Sequence, residues 1–216
     1  PAVRPDLGLM SHLARADERG CPSTLQQLRC FETATAGLPG ERSLANSAGI
    51  LGWPQTHFDW VRPGIMLYGV SPFADSLAPD EGLRPVMTLS TRLIAIKRLR
   101  AGEPVGYGGA WTCPEDMDVG VAAIGYGDGY PRHAPSGTPV LLDGREAALI
   151  GRVSMDMITV DLRRHPAARV GDPVVLWGEG LPVERIAQLA GTIAYTLTCG
   201  VKARVKREIV GADGGR

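Results

Sequence analysis

From residue 86 to residue 178 apolar residues recur at every second position, in one short segment after another. "VMTLSTRLIAIKRL" (86–99), "VGVAAIGY" (119–126), "TPVLLDG", "AALIGRV", "MITVDL" and "DPVVLWG" all show this alternation, with Gly, Pro and Asp between them. A strand points successive side chains to opposite faces, so a run of such segments confines this region to β-sheet architecture. A short helix near "PVERIAQLAG" (182–191) and a last strand near "KARVKREIV" are expected to finish the chain. No internal repeat is evident.

Ahead of the Pro- and Asp-rich connector "SPFADSLAPDEGLRP" the texture is different. "PSTLQQLRCFETATAG" (22–37) has a proline near its start and a glycine at its end, the punctuation of a helix. "SLANSAGIL" reads as a strand ending at Asn46 and a helix starting near Ser47, and "DWVRPGIMLYGV" as a strand and a turn. Strand–helix–strand alternation predicts part of an α/β layer or barrel. The organisation expected is an α/β region over 1–75 and a β-rich domain over 76–216.

"AIGYGDGYPR" (123–132) invites a nucleotide-binding reading, which fails. A dinucleotide loop needs G-x-G-x-x-G opening a helix. Gly125 and Gly127 fit, but Tyr130 occupies the third glycine position and Pro131 follows where the helix should run. Lys+Arg and Asp+Glu both number 23, a balance that points to no nucleic-acid partner. Cys21, Cys30, Cys113 and Cys199 are too widely spaced for a zinc pattern or a disulfide framework, and read as reduced cytosolic thiols. No signal-peptide pattern or 18-residue apolar run occurs, which predicts a cytoplasmic protein without a membrane span.

Taken together, "NSAGIL", "VRPGIMLYG", "AIGYGDGYPR" and "GRVSMDMITVDL" resemble the alanine racemases, in this order and spacing. The resemblance runs from "MSHLARADE" to "YTLTCGVKARVKRE". It implies a remnant of a (β/α)8 TIM-type barrel followed by a mostly β carboxyl-terminal domain. It also implies pyridoxal 5'-phosphate as cofactor, alanine as substrate and a homodimer.

Racemisation removes the Cα proton from one face and returns one on the other, which calls for two bases. The resemblance places one of them at Tyr126. A free phenol titrates near ~10, so a phenol acting near neutrality needs its anion stabilised by about 3 kcal/mol. Positive charge and hydrogen bonds to the phenolate supply such stabilisation, and the resemblance implies a relay of His12 and Arg62 in that role. It further implies that Asn46 and Ser47 bind the cofactor phosphate, helped by Gly64, Ile65 and the Tyr195 hydroxyl. Arg62 would lie against the pyridine nitrogen, where many enzymes of this cofactor place an acid. Met155 would meet the substrate carboxylate through its backbone N–H, and Asp156 would line the entrance. His57, His133 and His165 match no motif.

The family's second base, the Schiff-base lysine, has no counterpart among Lys97, Lys202 and Lys206. The chain is therefore expected to be a piece of a racemase supplying D-alanine for cell-wall peptidoglycan or for alanine catabolism, inactive alone. Two other readings stand beside it. One is a non-catalytic β-domain that dimerises or binds a partner; the other is a related decarboxylase, which Arg62 and "GYGDGYPR" disfavour.

Overall fold

Proline is tolerated in the first turn of a helix, whose N–H groups have no intrahelical partner, and Pro22 opens α1 (Pro22–Thr35) there. In the computed structural model, which describes residues 7–211, α1 buries Thr24, Leu28, Phe31 and Thr35. That spacing is one face of a helix. Leu28 and Phe31 join Leu13, Ala16, Leu44, Ala48, Trp53 and Phe73 in a single apolar cluster. The Trp53 indole N–H donates to Ala16 O at 3.0 Å, so its polar edge is satisfied inside that cluster.

The helix separates two short parallel strands, β1 (Leu9–Met10) and β2 (Arg42–Ser43). Ser43 also makes a parallel bridge to Trp60. Between β2 and that bridge lies α2 (Ser47–Gly52), capped by Asn46, whose Oδ1 accepts from Gly49 N at 2.9 Å. The strand expected to end at Asn46 stops at Ser43, because Asn46 is taken as the cap. The strand expected in "DWVRPGIMLYGV" reduces to the bridge at Trp60, followed by a short 3-10 helix over Ile65–Tyr68.

The connector packs back on this first unit. Val86 N donates to Tyr68 O at 3.0 Å, Glu81 pairs with Arg19, and Ala78 is buried. The two compact units of the chain accordingly divide at Met87/Thr88, not at 75/76.

The second unit contains β3 (Leu89–Leu99), β4 (Pro104–Val105), β5 (Trp111–Thr112), β6 (Met117–Ala122), β7 (Pro139–Leu142), β8 (Arg145–Ile150), β9 (Ile158–Asp161) and β10 (Pro173–Trp177). Six of them close into an antiparallel barrel in the order β10-β3-β6-β9-β8-β7, while β4 and β5 form a small hairpin. Closure leaves no unpaired strand edge. The long strand β3 serves two neighbours. Its first residues pair with β10 and its later ones with β6, and the register shifts between Leu93 and Ala95, where the handover occurs.

Two helices follow, α3 (Val183–Leu189) and α4 (Ala194–Gly200). The strand expected near "KARVKREIV" is absent: residues 202–210 form turns and irregular chain. A closed barrel offers no edge to pair with, and Arg204 is bound to Asp128 and Asp156 instead. No helix among the described residues is long and apolar enough to cross a membrane.

Candidate functional site

In the first unit the polar residues singled out in the sequence gather where β1, β2 and the Trp60 bridge end. Arg62 follows that bridge, and its backbone N–H donates to Ala45 O at 2.9 Å. Its guanidinium is held from several sides. Nη1 donates to Ser43 Oγ at 2.7 Å, and Nη2 donates to Ser11 O at 2.8 Å and to Leu44 O at 3.4 Å. The same Nη2 lies 3.3 Å from His12 Nδ1. Such a fork is a fixed cation, since arginine does not give up its proton in proteins.

Ser47 is buried at the start of α2. Its Oγ accepts from Gly64 N at 2.8 Å and from Met66 N at 3.4 Å, drawing the Gly64–Ile65 turn against the cap. Asn46, Ser47, Gly64 and Ile65 thus form one group, adjoining the Ser43–Arg62–His12 group through the short segment 43–47. With the Gly64 and Met66 N–H groups donating to Ser47 Oγ, the Ser47 hydroxyl hydrogen and the Ile65 N–H remain as donors, the chemistry that phosphate oxygens take. The residues fit such a group.

The second unit assembles a different set. Tyr126 begins a 3-10 turn, Tyr126–Asp128, four residues beyond the end of β6 at Ala122. Its N–H donates to Ser154 O at 3.0 Å, and Gly127 N donates to Met155 O at 2.8 Å. The glycines make that approach possible. A Cβ on Gly125 would stand 2.3 Å from Ser154 O, and one on Gly127 would stand 2.6 Å from Arg204 Nη2. Tyr126 is half-buried, and its phenol oxygen has no hydrogen-bond partner among the described residues. Met155 and Asp156 are exposed beside it, and the Met155 N–H likewise donates to nothing described. Tyr195 lies on α4, exposed, with Gly200 at the far end of that helix packed on Gly129.

His12, Asn46, Ser47, Arg62, Gly64 and Ile65 therefore belong to the first unit, and Tyr126, Met155, Asp156 and Tyr195 to the second. Sequence reasoning missed Ser43, Asp128 and Arg204. Ser43 holds Arg62, and Arg204 joins Asp128 to Asp156 at 2.7 Å each. Asp128 lies inside the quoted "GYGDGYPR", but Arg204 was hidden in a basic run read as a strand. His57 and His165 bond the backbone carbonyls of Ile50 and Glu146, and no group able to hold a metal occurs among the described residues.

Residues 6–72 match the family model for the alanine racemase N-terminal domain, and residues 86–209 that for the alanine racemase C-terminal domain. The chain belongs to the alanine racemase family. The alanine racemase of Halorhodospira halophila is 56% identical over 211 residues, covering 98% of this chain and 58% of that protein. The biosynthetic alanine racemase of Escherichia coli K12 is 57% identical over 209 residues, 96% of this chain and 58% of that protein. Among solved structures, the biosynthetic alanine racemase of Pseudomonas aeruginosa matches with a TM-score of 0.90 at 52% identity, over 94% of this chain and 57% of that one. The alanine racemase of Bartonella henselae with covalently bound pyridoxal phosphate matches with a TM-score of 0.85 at 32% identity, over 93% of this chain and 56% of that one. The chain thus spans somewhat under three-fifths of these racemases, at 58% of both curated relatives.

Proposed function

We propose that this chain is part of an alanine racemase that interconverts L- and D-alanine using pyridoxal phosphate. The observation that carries the reading is the arginine fork. Arg62 is fixed by Ser43, Ser11 and Leu44 beside His12, next to the Ser47–Gly64 group, in a chain that matches both racemase domains. Members of the family named above are racemases, and one of them holds the cofactor covalently.

In this reading the first unit is a segment of a (β/α)8 barrel. Ser47 with the Gly64 and Ile65 backbone holds the cofactor phosphate, aided by Asn46 and by the Tyr195 hydroxyl. Arg62 would face the ring nitrogen as a hydrogen-bond donor and, as a cation that keeps its proton, would not protonate it. Pyridoxal phosphate, when bound, supplies the sink for the electron pair left at Cα. Tyr126 takes or returns the Cα proton on one face, and His12 with Arg62 supports its anion. The free Met155 N–H holds the substrate carboxylate, and Asp156 stands at the entrance. The other face needs a second base, a lysine that is none of Lys97, Lys202 and Lys206. The functional protein is a cytoplasmic homodimer, a reading to which the four free thiols Cys21, Cys30, Cys113 and Cys199 add support.

The test uses a protein of the full family length that contains this chain. It is loaded with pyridoxal phosphate, supplied with L-alanine, and D-alanine is followed by chiral chromatography. Steady accumulation towards equal amounts of the enantiomers is expected. Cofactor-loaded protein that leaves L-alanine unchanged overturns the proposal.

A further inference from the structure

We infer that Arg204 is a positioning residue that locks the turn bearing Tyr126 to the segment bearing Met155 and Asp156; the inference rests on the racemase reading above. Its guanidinium spans two carboxylates from different loops. Nε donates to Asp128 Oδ1 at 2.7 Å, and Nη2 donates to Asp156 Oδ1 at 2.7 Å. Asp128 passes the constraint on, because its Oδ2 accepts from Gly125 N at 2.9 Å. The base is thereby bracketed, with its preceding residue tied to Asp128 and its own N–H tied to Ser154 O at 3.0 Å.

The main chain adds a second grip from the same segment, since Lys202 N donates to Asp128 O at 2.9 Å. Gly127 lies directly beneath the guanidinium, where a Cβ would stand 2.6 Å from Nη2 and 2.9 Å from Met155 O. Three stretches of chain (125–129, 154–156 and 202–204) therefore stack without room for a side chain between them. Arg204 is the only side chain among the described residues that bonds both acidic members of this stack.

Exposure separates positioning from plain stabilisation. The Arg204 side chain is 47% exposed, that of Asp156 59% and that of Asp128 16%, so the Asp156 arm lies in water while the Asp128 arm is partly shielded. Pairs in water contribute little to global stability, because solvent screens them and two long side chains must be held still. Placement of a general base is far less forgiving, since a shift of about 1 Å can cost ~10²-fold in rate. Loss of Arg204 should therefore cost the fold a modest amount, mainly at Asp128, and impair the step that Tyr126 serves far more.

The test uses the full-length racemase carrying Arg204→Gln, Arg204→Lys or Asp156→Asn. Two quantities are read: amide hydrogen exchange in peptides covering 124–130 and 153–157, and solvent deuterium entry at Cα of each alanine enantiomer. Tyr126→Phe first identifies the enantiomer whose Cα exchange depends on the phenol. Arg204→Gln is expected to speed amide exchange in those peptides alone, and to slow deuterium entry from that enantiomer roughly 10- to 100-fold. The other enantiomer should stay within about twofold, because its base is not on this turn. Arg204→Lys keeps the charge without the two-pronged fork and should recover part of the loss. Asp156→Asn removes the charge from the same link at an exposed residue while leaving an amide oxygen that can still accept, so it should give a weaker form of the same effect, and it serves if Arg204→Gln does not fold. Equal losses for both enantiomers, or unchanged amide exchange, overturn the inference. If the parent protein exchanges neither enantiomer, it is the racemase reading that fails, while the amide data still report whether Arg204 holds the two loops together.

Discussion

Arg62 and His12 meet nitrogen to nitrogen, with Nη2 of the guanidinium 3.3 Å from Nδ1 of the imidazole. Arginine has donors only, so this contact is a hydrogen bond only if Nδ1 offers its lone pair. The proton of the neutral ring then sits on Nε2, and the contact selects one tautomer. In protein labelled with ¹⁵N-histidine, the Nδ1 resonance of the neutral His12 ring should be that of an unprotonated acceptor. Arg62→Met should release the ring to a mixture of tautomers. A protonated Nδ1 in the parent would remove His12 from the arginine's hydrogen-bond set and with it the relay.

Gly129 ends the turn that carries Tyr126, with φ of 105°. A Cβ at that position would lie 2.3 Å from Gly200 O, at the end of α4. Gly129→Ala therefore combines backbone strain with a clash against main chain, which cannot rotate away. A loss of about 2–3 kcal/mol in urea unfolding is expected. Gly137 has φ of 96° but nothing within 4 Å of its Cβ position, so Gly137→Ala should cost less. Equal losses at the two sites would mean that the Gly129–Gly200 approach contributes nothing.

Tyr130 lies four residues beyond Tyr126 and does the opposite of a reactive phenol. It is buried, stacked on Trp177 with ring centroids 6.0 Å apart, and its hydroxyl has no hydrogen-bond partner. Burial pushes its ionisation well above the ordinary phenol range. A buried hydroxyl without a partner costs about 1–3 kcal/mol, so Tyr130→Phe should be neutral or stabilising. The pH dependence has a definite sign. Above the ordinary phenol value of ~10 the unfolded chain releases this proton while the folded chain keeps it, so folding stability falls as pH rises. Tyr130→Phe should reduce that alkaline slope. A large destabilisation near neutrality would mean that the hydroxyl is bonded after all.

Tyr126→Phe keeps the ring and removes the proposed base. The two alanine enantiomers have equal free energy, so kcat/KM falls by the same factor in both directions and cannot reveal which face is served. Solvent deuterium entry at Cα can. One enantiomer should lose exchange by roughly 10²–10⁴-fold, while the other exchanges its proton without inverting. Parallel, minor losses for both would remove Tyr126 from the chemistry.

Legibility in the sequence followed from how local each signal was. The barrel strands were readable because alternation survives wherever one face of a strand is buried, as in β3 and β9. The helix α1 was readable from Pro22 and a single buried stripe. α4 was not, because "IAYTLTCG" is rich in β-branched and aromatic residues. The helix accommodates Thr198 by letting its hydroxyl donate to Ala194 O at 3.1 Å, a bond with no trace in the sequence pattern. The candidate site divides in the same way. Asn46 capping α2 follows from a local preference, whereas Ser43 under Arg62 and Arg204 between Asp128 and Asp156 depend on chain segments 19 to 76 positions apart. Nothing in a single sequence announces which distant arginine meets which carboxylate.

The proposed homodimer, with each site shared between the first unit of one subunit and the second unit of its partner, makes a quantitative prediction. One full-length parent carries Tyr126→Phe, a change in the second unit; the other carries Arg62→Ala, a change in the first. Each homodimer then has two defective sites. Subunit exchange in equal amounts gives mixed dimers as about half of the population by two-fold pairing statistics. In a mixed dimer with shared sites, one site combines the intact Arg62 of the first parent with the intact Tyr126 of the second, and the other collects both defects. About a quarter of all sites should therefore be restored, and activity should rise to about a quarter of that of the unmodified enzyme. Tagging the parents differently and purifying through both tags isolates the mixed species, in which about half the sites should work. If doubly tagged dimers form and their activity stays at the average of the two parents, each site is built within a single chain, and the shared-site reading fails while the assignments of Tyr126 and Arg62 stand on their own tests.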